Sequence, residues 1–253
     1  MYRVYQLSRF HTLIISCCLI AGVLFLAIPF MTSAETPQDA VPYTVYLTFD
    51  DGPSPVTGQV LDILRDYEVP ATFFVLGEDT EEGLALYRRM AGEGHSIGIH
   101  SFTHSLSVYQ HFDNFSADFE KLEELVLNGV GSLSYIYRMP GGSNSANCPD
   151  WLKNEIKAYV KARGYVLYNW DIDPKDSREY TLSAEDLLDN VISAAKDKPA
   201  CDLIILMHDD ALRTSLPDAL PDIIDHFRQN GYEFSALQRD TELRSNSPWV
   251  KIE

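Results

Sequence analysis

Two short stretches of the 253-residue chain hold side chains whose types and spacing suit metal-assisted chemistry. Thr48-Phe49-Asp50-Asp51-Gly52-Pro53 places two carboxylates side by side at the end of an apolar, β-branched run. Adjacent carboxylates repel unless a proton or cation lies between them, although Asp-Gly-Pro is also ordinary turn chemistry. His100-Ser101-Phe102-Thr103-His104 sets two imidazoles four residues apart, a spacing that puts both on one side of a helical turn. Alone, such a pair is more often two surface histidines. Joined to Asp51 it becomes a set of two neutral imidazoles and one carboxylate. Such a set leaves coordination positions open for water and substrate, as catalytic zinc sites do. His95 breaks the spacing and reads as structural, while His111 and His226 receive no role.

Two further stretches offer groups that act on a carbonyl. Arg138-Met139-Pro140-Gly141-Gly142 puts a guanidinium beside a Gly-Gly turn. The guanidinium can orient a carboxylate, and backbone freed of side chains can aim N–H groups at a developing oxyanion. His208 ends the apolar run 203–207 and suits proton donation to a leaving group. A strand-end histidine bonded to a backbone carbonyl explains it equally well when that stretch is read alone.

These groups need a scaffold that brings them together. From Tyr43 onward, short β-branched and aromatic runs alternate with longer helical patterns. Strands are predicted over 44–49, 71–76, 96–99, 136–138, 166–169, 203–207 and 233–236. Helices are predicted over 58–67, 82–93, 115–129, 149–162, 183–195 and 216–230. Such alternation implies α/β architecture with a parallel sheet, open or closed into a barrel. The polar clusters 50–51, 100–104, 138–142, 170–176 and 208 all fall just past strand C-termini, the rim where parallel α/β folds mount catalytic groups.

The first 34 residues read as targeting sequence. Arg3 and Arg9 precede the uncharged, apolar run 12–31, and Thr32-Ser33-Ala34 offers small residues to a signal peptidase. A run of that length also suits a membrane anchor, so both fates stay open. The basic residues ahead of it fit a cytoplasmic N-terminus, which makes the body exported: extracellular, or held at the cell surface by residues 12–31. Residues 35–42 form a linker, and 43–253 the catalytic domain. Of four cysteines, Cys17 and Cys18 lie in the leader. Cys148 and Cys201 fall at opposite ends of the predicted layer, which disfavours a disulfide between them. Net charge is −17. That excess of acid argues against nucleic acid as a partner and suits a neutral glycan, with general solubility the plainer reading.

In order along the chain, Thr48–Pro53, His100–His104, Arg138–Gly142, Trp170–Asp176 and Leu206-Met207-His208 resemble the five motifs of the polysaccharide deacetylases. That family is the NodB-homology group, carbohydrate esterase family 4. The likeness spans residues 43–237, nearly all of the mature chain, and 71–77 is similar to the family's second strand. It implies a distorted (β/α) barrel of about seven parallel strands with a groove across its C-terminal rim. It further implies Asp50 as general base; Asp51, His100 and His104 as ligands of a divalent metal; and Arg138 as the group orienting Asp50. A backbone N–H near Gly141 would help bind the oxyanion, His208 would act as general acid tuned by Asp176, and Leu206 would line the acetyl pocket. Two departures stand out. Ser177 replaces a Trp common after Asp176, and Gly141 occupies a position that carries an aromatic in the family, so aromatic surface is lost from the groove.

The expectation is a monomeric hydrolase that removes N-acetyl groups from N-acetylglucosamine-type polysaccharide, peptidoglycan first. Its ligand set suits Zn²⁺, and also Co²⁺, Ni²⁺ or Mn²⁺. The alternatives are an O-acetyl esterase acting on a xylan-like glycan and a catalytically silent glycan-binding protein on the same fold.

Overall fold

The computed structural model describes residues 41–178, 182–198, 200–245 and 250–252. The proposed leader and most of the linker lie outside the described residues. Among those described, no helix is long and apolar enough to cross a membrane.

The body is a curled sheet wrapped by helices. In chain order it runs β1 (Thr44–Asp50), α1 (Pro55–Asp66), β2 (Thr72–Val75), α2 (Glu81–Gly92), β3 (Ser96–Ile99), α3 (Phe112–Val130) and β4 (Ile136–Tyr137). Then follow α4 (Asp150–Ala162), β5 (Val166–Tyr168), α5 (Ala184–Lys196), β6 (Leu203–His208), α6 (Leu216–Gln229), β7 (Glu233–Phe234) and β8 (Lys251–Ile252). The sheet order is β6-β1-β2-β3-β4-β5-β8, with β7 also pairing β1. All seven predicted strands are present, and all of them pair in parallel. An eighth, β8, runs antiparallel to β5 and was not foreseen, because a two-residue strand carries no periodicity. A parallel bridge between Ile172 and Ile205 ties the chain after β5 to β6, so the sheet curls back on itself. The result is the distorted barrel expected.

Strands β1, β2, β3 and β6 are buried along nearly their whole length. Parallel strands covered on both faces read as continuous apolar runs for that reason. Inside, Phe49 stacks on Phe73 with centroids 5.1 Å apart. Helix α1 starts three residues before its predicted N-terminus. Ser54 caps it, Thr57 completes a capping box, and Pro55 sits at the first turn, where its missing N–H costs nothing. Cys148 and Cys201 are buried and not bonded to each other, in line with a predicted placement that disfavours the pair.

Candidate active site

Strand register sets the site. In the β1–β6 pair Asp50 lies opposite His208, and in the β3–β4 pair Ile99 lies opposite Tyr137, which brings His100 and Arg138 together as the strands end. Five C-terminal strand ends thus deliver their polar residues to one rim.

Asp51, His100 and His104 offer ligand atoms that all lie within 4.8 Å of one another. Asp51 Oδ1 is 3.5 Å from Nε2 of His100 and 3.5 Å from Nε2 of His104. Tetrahedral donors at about 2.1 Å from a zinc ion stand about 3.4 Å apart, so the spacing fits. The donor chemistry fits as well. Nδ1 of His100 contacts the Arg138 carbonyl at 2.7 Å, which requires the proton on Nδ1 and leaves a lone pair on Nε2. Burial lowers the His100 pKa, against the pull of Asp50 and Asp51, and so favours the neutral ring. Asp51 Oδ1 is itself buried without a hydrogen-bond partner. An orphaned carboxylate oxygen facing an imidazole lone pair is repulsive unless a cation lies between them.

Residues 100–104 do not form the helical turn predicted from their spacing. They are an irregular loop after β3, with His104 at φ 52° and 42% side-chain exposure. Asp118 on α3 accounts for this. Its carboxylate accepts the N–H groups of Phe102 and Thr103 and the hydroxyls of Ser101 and Thr103, all at 2.7–3.0 Å. Those bonds hold the loop out of helical conformation and still bring the two imidazoles to 5.4 Å between centroids. His95, as expected, is structural: its Nδ1 accepts the Ala71 N–H, and burial lowers it to about 4.

Arg138 is completely buried. It donates to Asp50 Oδ1 at 2.9 Å, to Thr48 Oγ1 at 2.7 Å and to the carbonyls of Asn169 and Tyr168, with its guanidinium 4.1 Å from the Phe74 ring centre. A buried charge is tolerated when its donors are this fully matched. Asp50 is thereby fixed through one oxygen, and its other oxygen lies 3.8 Å from His100 Nε2, beside the candidate metal ligands.

His208 is clamped by Asp176, which contacts its Nδ1 and accepts its backbone N–H, both at 2.8 Å. Burial works to lower the pKa of His208. The hydrogen bond and charge of Asp176, with the charges of Asp50 and Asp51, overcome it and lift the ring to about 9. Arg213 secures Asp176 from behind by donating to its carbonyl.

Asp50, Asp51, His100, His104 and His208 line an open cleft of about 480 Å³, with Arg138 and Asp176 bonded behind them. Leu206 and Gly141 line it too, with Trp170 supplying an aromatic wall where Ser177 and Gly141 supply none. Gly141 and Gly142 have φ of 72° and 78°. A Cβ on Gly142 would meet the Trp170 ring at 2.9 Å, and the Gly141 N–H donates to no group among the described residues. The sequence-predicted site residues Asp50, Asp51, His100, His104, Arg138, Gly141, Asp176, Leu206 and His208 therefore share one site. Sequence reasoning missed the supports. Asn169, whose side chain bonds Ser143 just after the Gly-Gly turn, and Asp118 carry no spacing signal, because the loops they hold are remote in sequence. Thr48 and Asp209 sit inside or beside motifs without a role of their own. Asp209 is completely buried. Burial raises it to about 7; the Thr57 hydroxyl opposes that shift, and the charges of Asp51 and Asp50 add to it.

A family model described as polysaccharide deacetylase matches residues 38–159. A peptidoglycan-N-acetylglucosamine deacetylase of Bacillus cereus is 30% identical over 205 residues, covering 79% of this chain and 71% of that protein. A chitooligosaccharide deacetylase of Rhizobium leguminosarum bv. trifolii is 34% identical, covering 65% of this chain and 71% of that protein. Among solved structures, the catalytic domain of a peptidoglycan N-acetylglucosamine deacetylase from Eubacterium rectale superposes with a TM-score of 0.73 at 30% identity, covering 83% of this chain and 94% of that one.

Proposed function

Since the chain belongs to the polysaccharide deacetylase family and is a deacetylase hydrolase, we propose that it cleaves N-acetyl groups from an N-acetylglucosamine-type polysaccharide, peptidoglycan first, releasing acetate. The observation that carries this reading is the pairing of Asp50 with His208 across one strand register, each clamped by a partner of opposite charge. Amide hydrolysis needs both a base and an acid, because water is a weak nucleophile and an amine a poor leaving group.

Asp51, His100 and His104 would hold a divalent cation, Zn²⁺ by ligand type, which supplies Lewis-acid polarisation of the acetamide carbonyl and a more acidic water. Asp50 takes the proton from the attacking water, with Arg138 fixing its other oxygen. As the carbonyl carbon becomes tetrahedral, the Gly141 N–H donates to the oxygen that gathers charge. His208 then gives its proton to the nitrogen, the C–N bond breaks, and acetate and a free amine leave. Asp176 keeps that histidine protonated and correctly turned. Leu206 forms the wall against the acetyl methyl. On this reading residues 1–34 deliver the body outside the cytoplasm, cleaved or retained as a tether.

The test is mass spectrometry of purified peptidoglycan after incubation with the enzyme, with and without chelator. Loss of acetyl groups that stops with chelator and returns with Zn²⁺ is expected, and the fragment masses name the sugar. Acetate from O-acetylated xylan with none from N-acetylated glycan would move the activity to the ester. No acetate from either would leave a glycan-binding protein.

A further inference from the structure

Asp209 follows the proposed acid His208 but does not line the cleft, and no step of the hydrolysis uses it. It nevertheless binds to the turn after β1 at several points. Its backbone N–H donates to the Asp50 carbonyl at 3.0 Å. Its own carbonyl accepts the Ser54 hydroxyl at 2.6 Å, and its Oδ2 accepts the Thr57 hydroxyl at 2.5 Å. The carboxyl lies flat against Gly52: a Cβ there would stand 2.4 Å from Oδ2 and 2.7 Å from both Cγ and Oδ1. Gly52 is absent from the positive-φ positions, so space rather than backbone conformation requires glycine. Asp51 does have positive φ, 76°, a conformation that surrounding structure must over-determine.

We propose that Asp209 is a positioning residue: its carboxyl, seated against Gly52 and bonded to Thr57, holds the turn that aims Asp51 at the two histidines and Asp50 at the attacking water. The inference rests on the roles given above to Asp50 and Asp51. Three connections meet in this one side chain and its backbone, joining β6, the β1 turn and the start of α1. A change at Asp209 therefore alters the relative placement of base, ligand and acid without touching substrate.

The experiment measures Zn²⁺ affinity of the apoprotein by calorimetry and acetate release from an N-acetylated chito-oligomer, with folding followed by circular dichroism. Asp209→Ala is expected to stay folded, to bind Zn²⁺ about 10–100-fold more weakly and to lose kcat by a similar factor, with KM little changed. Asp209→Asn, which still accepts the Thr57 hydroxyl, should recover most of both. Gly52→Ala should resemble Asp209→Ala. The double variant Gly52→Ala/Asp209→Ala should do better than the two single losses multiplied, because the new methyl at 52 uses the space the carboxyl leaves. Wild-type Zn²⁺ affinity and kcat in a folded Asp209→Ala would overturn the proposal. Should that variant not fold, a folded Gly52→Ala with wild-type Zn²⁺ affinity and kcat would overturn it. Failure of the wild-type protein itself to bind Zn²⁺ would instead count against the metal reading, which the same titration reports.

Discussion

At the scale of single residues, two carboxylates adjacent in sequence are given different work by their neighbours. Asp50 has one oxygen committed to Arg138, whereas Asp51 has an oxygen with no hydrogen-bond partner, facing two imidazoles. Asp50→Asn keeps the shape and the candidate ligand set but removes the proposed base. Turnover is expected to fall roughly 10²–10⁴-fold while calorimetric Zn²⁺ binding persists; near-normal acetate release would remove Asp50 from that role. His208 carries the corresponding prediction for acid. Its pKa is lifted above 6.5 to about 9, so the protonated form persists through neutrality and is lost as pH rises through that value. In Asp176→Asn the alkaline limb of the pH–rate profile should move down by roughly 1–3 units. A limb left in place would assign it to another group.

At the scale of elements, β1 and β6 align the proposed base and acid, and α3 holds the loop of the candidate metal ligands from outside the rim. Asp118 makes four hydrogen bonds to residues 101–103 from a helix that contributes nothing to the cleft itself. Asp118→Ala frees that loop to leave its present path, including the left-handed conformation of His104. Zn²⁺ affinity is expected to fall roughly 10–100-fold, the usual loss when groups behind the ligands are removed. The far-ultraviolet circular dichroism should stay unchanged. Equal affinity in the variant would show that the histidines hold their places without α3.

At the scale of the whole molecule, the candidate ligands come from the ends of two different strands, β1 and β3, so they converge only when the barrel is formed. A cation bound there stabilises the folded chain and not the unfolded one. Added Zn²⁺ at a hundredfold excess over its Kd should contribute about 2.7 kcal/mol and raise Tm. His104→Ala should abolish the rise, which a thermal melt with and without metal would read directly. The net charge of −17 acts at this scale too, opposing the approach of polyanions through long-range repulsion.

How much of this was legible in the sequence follows from range. Strands and helices are specified by local periodicity, and residues that follow strands must lie on the C-terminal rim of a parallel sheet. The chain alone therefore placed Asp50, Asp51, His100, His104, Arg138 and His208 on one face, while the partnership of Asp176 with His208 came only from the family resemblance. Local pattern does not determine register, loop path or which buried groups face each other, because those depend on contacts between segments distant in the chain. The irregular path of 100–104, the antiparallel β8, the support of Asp118 and Asn169, and the seat of Asp209 against Gly52 are all of that kind. The sequence by itself named the groups that can do chemistry; the tertiary structure decided which oxygen is committed and which is open, since only packing brings their partners within reach.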